Sequence, residues 1–69
     1  MKRRKIIGQN IYCLRLKKGI TQTQLADFAD LSKRYVQKIE YGEANVTVEV
    51  VEKLAKIFKC KWADIVGEL

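Results

Sequence analysis

A chain of 69 residues with 48% hydrophobic side chains and a formal charge of +6 makes one small domain with a modest core, so its function must sit on its surface. Histidine is absent, Ser32 is the only serine, and Cys13 and Cys60 are not spaced as a zinc site; the parts of metal clusters and nucleophile–base pairs are missing, which argues against an enzyme and against any cofactor. No apolar run approaches the roughly 18 residues of a membrane span, and the run behind Lys2 to Lys5 stops after Ile6 and Ile7, too soon for a signal peptide, so both thiols read as reduced in a soluble cytoplasmic protein.

The N-terminus is the basic end: residues 1 to 19 hold seven of the fourteen Lys and Arg and no acid. Such an end suits a polyanion, either nucleic acid or an anionic membrane, and it is also what a solvated tail looks like. Residues 1 to 5 are expected as a basic arm ahead of a single domain over 6 to 69. Ile7, Ile11, Leu14 and Lys18 share one helical face, and Gly19 stands where a helix stops, which predicts a first helix from about residue 4 to 18. Thr21 and Gln24 have the capping-box spacing, so a second helix runs from Gln22 to Ala29 with Leu25, Ala26 and Ala29 inward. Asp30 tolerates the left-handed conformation a tight turn needs, and Ser32 is an N-cap for a third helix that reaches about Tyr41 before Gly42 ends it. Thr47 caps a fourth, with Val48, Val51, Leu54, Ala55 and Phe58 at amphipathic spacing, and a short fifth runs from Trp62 to about Val66. Proline is absent and the four glycines are scattered, so no linker interrupts an all-α chain.

The third helix is unusual in its outer face. At 100° per residue, Val36, Ile39 and Glu40 point to one side, Arg34, Gln37, Lys38 and Tyr41 to the other, and Lys33 and Tyr35 to the edges. The outer face thus carries three cations, a glutamine, two tyrosines and no carboxylate. Arg or Lys on a helix in the DNA major groove can donate to guanine, Gln can pair with adenine, and Tyr can reach a phosphate. Composition alone fits a solvated surface equally well.

The spacing of the whole unit decides between the two. Gln22 opens helix two, the small Ala26 follows four residues later, Asp30 turns the chain, and Val36 and Ile39 anchor helix three. Together with "IGQNIYCLRLKKGITQTQLA", "LSKRYVQKIEYGEANVTVEVVEKLAKIF" and "WADIV", this resembles the Cro and lambda-repressor-like regulators, also called the xenobiotic-response-element type, over roughly Ile7 to Val66. The resemblance implies a five-helix DNA-binding domain with the helix-turn-helix at helices two and three. It implies base reading by Lys33, Arg34 and Lys38, and base-edge or phosphate contacts by Tyr35 and Gln37. It implies a phosphate contact by Gln22, whose side chain also braces Lys33. At Asn45 it implies either a backbone contact or a role in holding the loop. It also pairs Arg15 with Glu40 between helices one and three, which makes Glu40 a structural partner and not a contact. Two positions depart from the family's habit of glycine, Asp30 and Lys59, and Lys61 stands where an N-cap would be expected, so the path into helix five is the least determined part of the fold.

The expected partner is double-stranded DNA, bound by a homodimer, because one recognition helix reads too few base pairs to single out a site. The stripe Trp62, Ile65, Val66 and Leu69 places the dimer surface near the C-terminus, with Trp62 and Val66 inward and Ile65 and Leu69 left for the partner. Tyr12, Cys13 and Leu16 share an outward face of helix one, and Phe28 lies where relatives are polar; these residues would serve the alternative of an antitoxin-like module that binds DNA and a protein. A cationic membrane-surface peptide would instead need one long amphipathic helix, which separately capped short helices do not make.

Overall fold

The protein is described by a computed structural model covering residues 2–67. Over the described residues the chain forms five helices and no strand: α1 (Lys2–Lys18), α2 (Gln22–Ala29), α3 (Lys33–Glu40), α4 (Val48–Phe58) and α5 (Trp62–Val66). Their starts are set by the expected side chains. Thr21 Oγ accepts from Gln24 N at 3.0 Å while Gln24 Oε1 accepts from Thr21 N at 2.8 Å, a complete capping box. Ser32 Oγ accepts from Tyr35 N at 3.0 Å and Thr47 Oγ1 from Val50 N at 3.3 Å. Each satisfies an amide that has no partner inside its own helix.

The core collects one stripe from each helix. Ile11, Leu25, Val36, Ile39, Leu54 and Ile65 are its largest fully buried side chains, each contributing about 1.5–3 kcal/mol of burial. On α1 the inward face runs Ile7, Gly8, Ile11 and then the charged Arg15, with Leu14 only half-buried and Lys18 exposed, so the fourth inward position is Arg15 and not Lys18.

α1 crosses closely over α3 at Gly8. A Cβ on Gly8 would lie 2.2 Å from the Ile39 carbonyl oxygen and 3.0 Å from that of Glu40. Only glycine lets the two backbones approach this far. One turn earlier on α1, Lys5 covers Gly42, where a positive φ of 77° and a Lys5 Cα 3.0 Å from where a Cβ would sit both favour glycine.

Two expectations are corrected at the chain ends. Lys2 to Lys5 are not an arm: they are the first turn of α1, and Arg3 Nη1 donates to the Val66 carbonyl while Asn10 Nδ2 donates to that of Ile65 at 2.9 Å. These donors satisfy the last carbonyls of α5 and hold it along α1. The register of α5 also differs from the expected one at Trp62 and Ile65, while Val66 packs half-buried against the core as expected. Ile65 is 0% exposed and cannot face a partner, whereas Trp62 is 43% exposed. A five-residue helix is little more than one turn, too short for periodicity to decide which member of an i, i+3, i+4 set points inward. The anchoring of carbonyls 65 and 66 by α1 decides it. Leu69, the other expected partner contact, lies outside the described residues.

Candidate nucleic-acid interface

The α3 helix is mounted by its inner face and its last residue. Val36 and Ile39 are buried at 1% and 2% exposure, which leaves Lys33, Arg34 and Lys38 exposed on the opposite side and Gln37 half-buried beside them. Tyr41, at the C-cap, is 70% exposed. Within α3 the only carboxylate is Glu40, and it points inward. The outer surface is therefore a cationic strip with no acid, as the helical spacing predicts, and its charges are free to meet a polyanion.

Glu40 joins three helices. Its Oε2 accepts from Arg15 Nε at 2.6 Å, and its Oε1 accepts from both Arg15 Nη2 and Gln22 Nε2 at 3.0 Å. Arg15 Nη1 donates to the Ile20 carbonyl at 3.0 Å, and the guanidinium lies 5.4 Å from the Tyr12 ring centroid. The side chains of Arg15 and Glu40 are only 10% and 4% exposed. The hydrogen bond to Glu40 raises the Arg15 pKa above its ordinary value, against the opposing effect of burial. With a fork-on-carboxylate pair and a third donor, this buried charge pair has its polar atoms satisfied, the condition under which such a pair holds a structure together.

The position of Gln22 differs from that implied by the family resemblance. Its amide bonds Glu40 at the far end of α3, not Lys33 at the near end. Gln22 and Lys33 nevertheless line one open cleft of about 450 Å³ with Thr23 and with Arg15 and Leu16 from the end of α1. The N-terminus of α2 and the Lys33 ammonium bring donors and positive charge to this cleft. Thr23 is a contact candidate that the sequence pattern did not single out; only its place beside the helix start would have found it.

Tyr35 and Asn45 are brought together as a brace. The Tyr35 hydroxyl donates to the Asn45 carbonyl oxygen at 2.8 Å, and the ring packs half-buried against the core. Tyr35 thus ties the α3–α4 loop to the reading helix, and the exposed Asn45 side chain stays outside that bond. Gly8 is the residue that sequence reasoning missed. Its signal was available, since a glycine inside a helical pattern costs about 1 kcal/mol against alanine and calls for a packing reason.

Among the described residues no group of His, Cys, Asp and Glu could hold a metal, and no helix is long and apolar enough to cross a membrane. The family model described as helix-turn-helix, HTH_3, matches residues 12–65. The competence pilus inhibition repressor of Acinetobacter baylyi is 39% identical over 59 residues, 86% of this chain and 54% of that protein. The antitoxin PezA of Streptococcus pneumoniae is 32% identical over 63 residues, 91% of this chain and 40% of its own length. The chain therefore spans about half the length of these relatives. The crystal structure of the restriction-modification controller protein C.AhdI from Aeromonas hydrophila superposes with a TM-score of 0.88 at 29% identity, covering 94% of this chain and 98% of that one.

Proposed function

The chain belongs to the helix-turn-helix family HTH_3, of the Cro and lambda-repressor-like kind, and from that premise we propose that it is a sequence-specific DNA-binding transcription regulator that reads the major groove with α3. It acts by occupying a promoter, as a repressor or as the controller of a restriction-modification system, and by binding without catalysis, in the cytoplasm. The observation that carries this reading is the acid-free outer strip of α3, Lys33, Arg34 and Lys38, on a helix fixed from behind by Val36, Ile39 and the Arg15–Glu40–Gln22 cluster. A reading helix must hold its donors still against base edges, and the cluster supplies that rigidity. In this reading Gln22 and Thr23 meet the phosphates, Lys33, Arg34 and Lys38 reach bases, Gln37 reaches a base edge from the side, and the Asn45 side chain touches the backbone.

The working form is a symmetric homodimer on an inverted repeat whose half-site centres lie roughly 34 Å apart. The antitoxin reading draws on PezA and on the exposure of Tyr12, Leu16 and Phe28 at 43%, 52% and 59%; co-purification of a protein partner would select it. Selection from a random DNA pool tests the main proposal, with an inverted repeat as the expected product. On the selected duplex Arg34→Ala should weaken binding by about 1–3 kcal/mol and relax preference at one base pair per half-site. An equal loss on mixed-sequence DNA would assign Arg34 to the phosphates, and recovery of no enriched sequence would end the sequence-specific reading.

A further inference from the structure

We propose that Glu40 is a positioning residue for the DNA backbone contact: it holds the Gln22 amide nitrogen in place before DNA arrives, so that a phosphate meets an ordered donor. The proposal rests on the DNA-binding reading above. Glu40 is nearly inaccessible, with 4% of its side chain exposed, and lies on the side of α3 away from the cationic strip, so it touches no DNA itself. It nevertheless spends one of its oxygens on Gln22 as well as on Arg15.

The chemistry of the acceptor fixes the orientation of the amide. A carboxylate beside a guanidinium has lone pairs and no proton to offer, so only the NH2 end of Gln22 can approach it; the carbonyl end would meet a like partial charge. An exposed glutamine samples several rotamers and both amide orientations, and loses that freedom on making a contact. Gln22, half-buried and bonded at 3.0 Å, has lost it in the free protein. The same nitrogen carries a second N–H, and the residue lines the cleft shared with Thr23 and Lys33. One carboxylate holds Arg15 on α1 and Gln22 on α2 from the last residue of α3, so a single side chain ties the phosphate donor to the helix that carries the reading face.

A thermodynamic cycle tests this without leaving a buried charge unpaired. Replacing the pair together, Arg15→Met with Glu40→Leu, keeps the net charge and the apolar volume and releases Gln22. Affinity for a mixed-sequence duplex is measured for the wild type, the Gln22→Ala variant, the paired variant and the triple variant, alongside their melting curves. A phosphate contact carries no sequence information, so mixed DNA reads it without interference from base recognition. The paired variant should bind roughly threefold to tenfold more weakly, the worth of one ordered side chain, and Gln22→Ala should then cost less than it costs in the wild type. If Gln22→Ala costs the same factor or more in both backgrounds, or nothing in the wild type, the proposal is overturned. If the wild type binds neither mixed nor selected DNA, the functional reading fails first and takes this one with it. Should the paired variant not fold, relaxation of the side-chain amide nitrogens in the free wild type carries the test. Gln22 should be rigid where the exposed Gln9 is mobile, and equal mobility of the two would overturn the positioning role.

Discussion

The turn from α2 to α3 and the turn from α4 to α5 have the same shape and different chemistry. Asp30 and Lys59 both adopt left-handed backbone, at φ 54°, ψ 46° and φ 53°, ψ 50°. In both turns the next amide reaches back five residues, Leu31 N to Ala26 O at 2.9 Å and Cys60 N to Ala55 O at 3.0 Å. At the first turn the residues suit that geometry. Aspartate visits the left-handed region more easily than most side chains, Ser32 caps the next helix, and Lys53 Nζ donates to the Ala29 carbonyl at 3.3 Å. At the second, a lysine stands in the left-handed position and another, Lys61, in the cap position, where only Asp64 Oδ2 helps by accepting from Lys61 N at 3.0 Å. The packing of helix on helix imposes the shape in both cases, and local chemistry reinforces it only where the turn aims the reading helix.

The comparison can be broken most severely on the reinforced side. Arg15→Ala would leave the Glu40 carboxylate buried with Gln22 as its remaining donor and should destabilise by about 3–5 kcal/mol, measured by denaturant titration. A loss under about 1 kcal/mol, the range of exposed pairs, would mean that water replaces the guanidinium freely.

Gly8→Ala is the next largest. In an isolated helix this change stabilises by about 1 kcal/mol. Here the new methyl would lie 2.2 Å from a backbone oxygen of α3, which no side-chain rotamer can relieve. The sign should therefore invert, with a loss of about 1–3 kcal/mol as α1 and α3 are forced apart. A variant that melts higher than the wild type would show that the crossing is looser than the structure has it.

How much of this was legible in the sequence follows the same division. Thr21, Gln24, Ser32 and Thr47 announce helix starts because a short polar side chain at that spacing has one local use, and all three caps form as read. The inward register of α3 was legible from Val36 and Ile39, since eight residues make two turns. The register of α5 was not, because it depends on Asn10 and Arg3, more than fifty residues away in the chain. The basic N-terminus is the first turn of α1 and is tied to α5 by Arg3, a long-range bond that local charge could not indicate. Among site residues, the Arg15–Glu40 pair came from family resemblance, while the bond between Gln22 and Glu40 is a tertiary contact with no trace in spacing.

The smallest effects sharpen the comparison from its weaker side. If packing alone holds the α4–α5 turn, giving it the chemistry of the first turn should raise stability and leave the fold unchanged. Lys59→Gly removes the steric cost of a Cβ in the left-handed region, about 1–2 kcal/mol, and adds back part of it as chain entropy, for a net gain of about 0.5–1 kcal/mol. Lys61→Ser should add a side-chain acceptor for the N3 amide of α5, which now bonds only the Lys61 carbonyl oxygen at 3.0 Å, and complete the box that Asp64 half makes, for up to about 1 kcal/mol more. The two sites are separated only by Cys60, close enough to couple, so the double variant is measured beside each single one. A thermal melt reads each gain. Affinity for the selected duplex should stay at the wild-type level, because neither residue borders the cleft of Gln22 and Lys33 or lies on α3. A loss of affinity in step with the gain in stability would mean that strain at this corner is transmitted through α1 to the reading helix, and that the lysines are kept there for function.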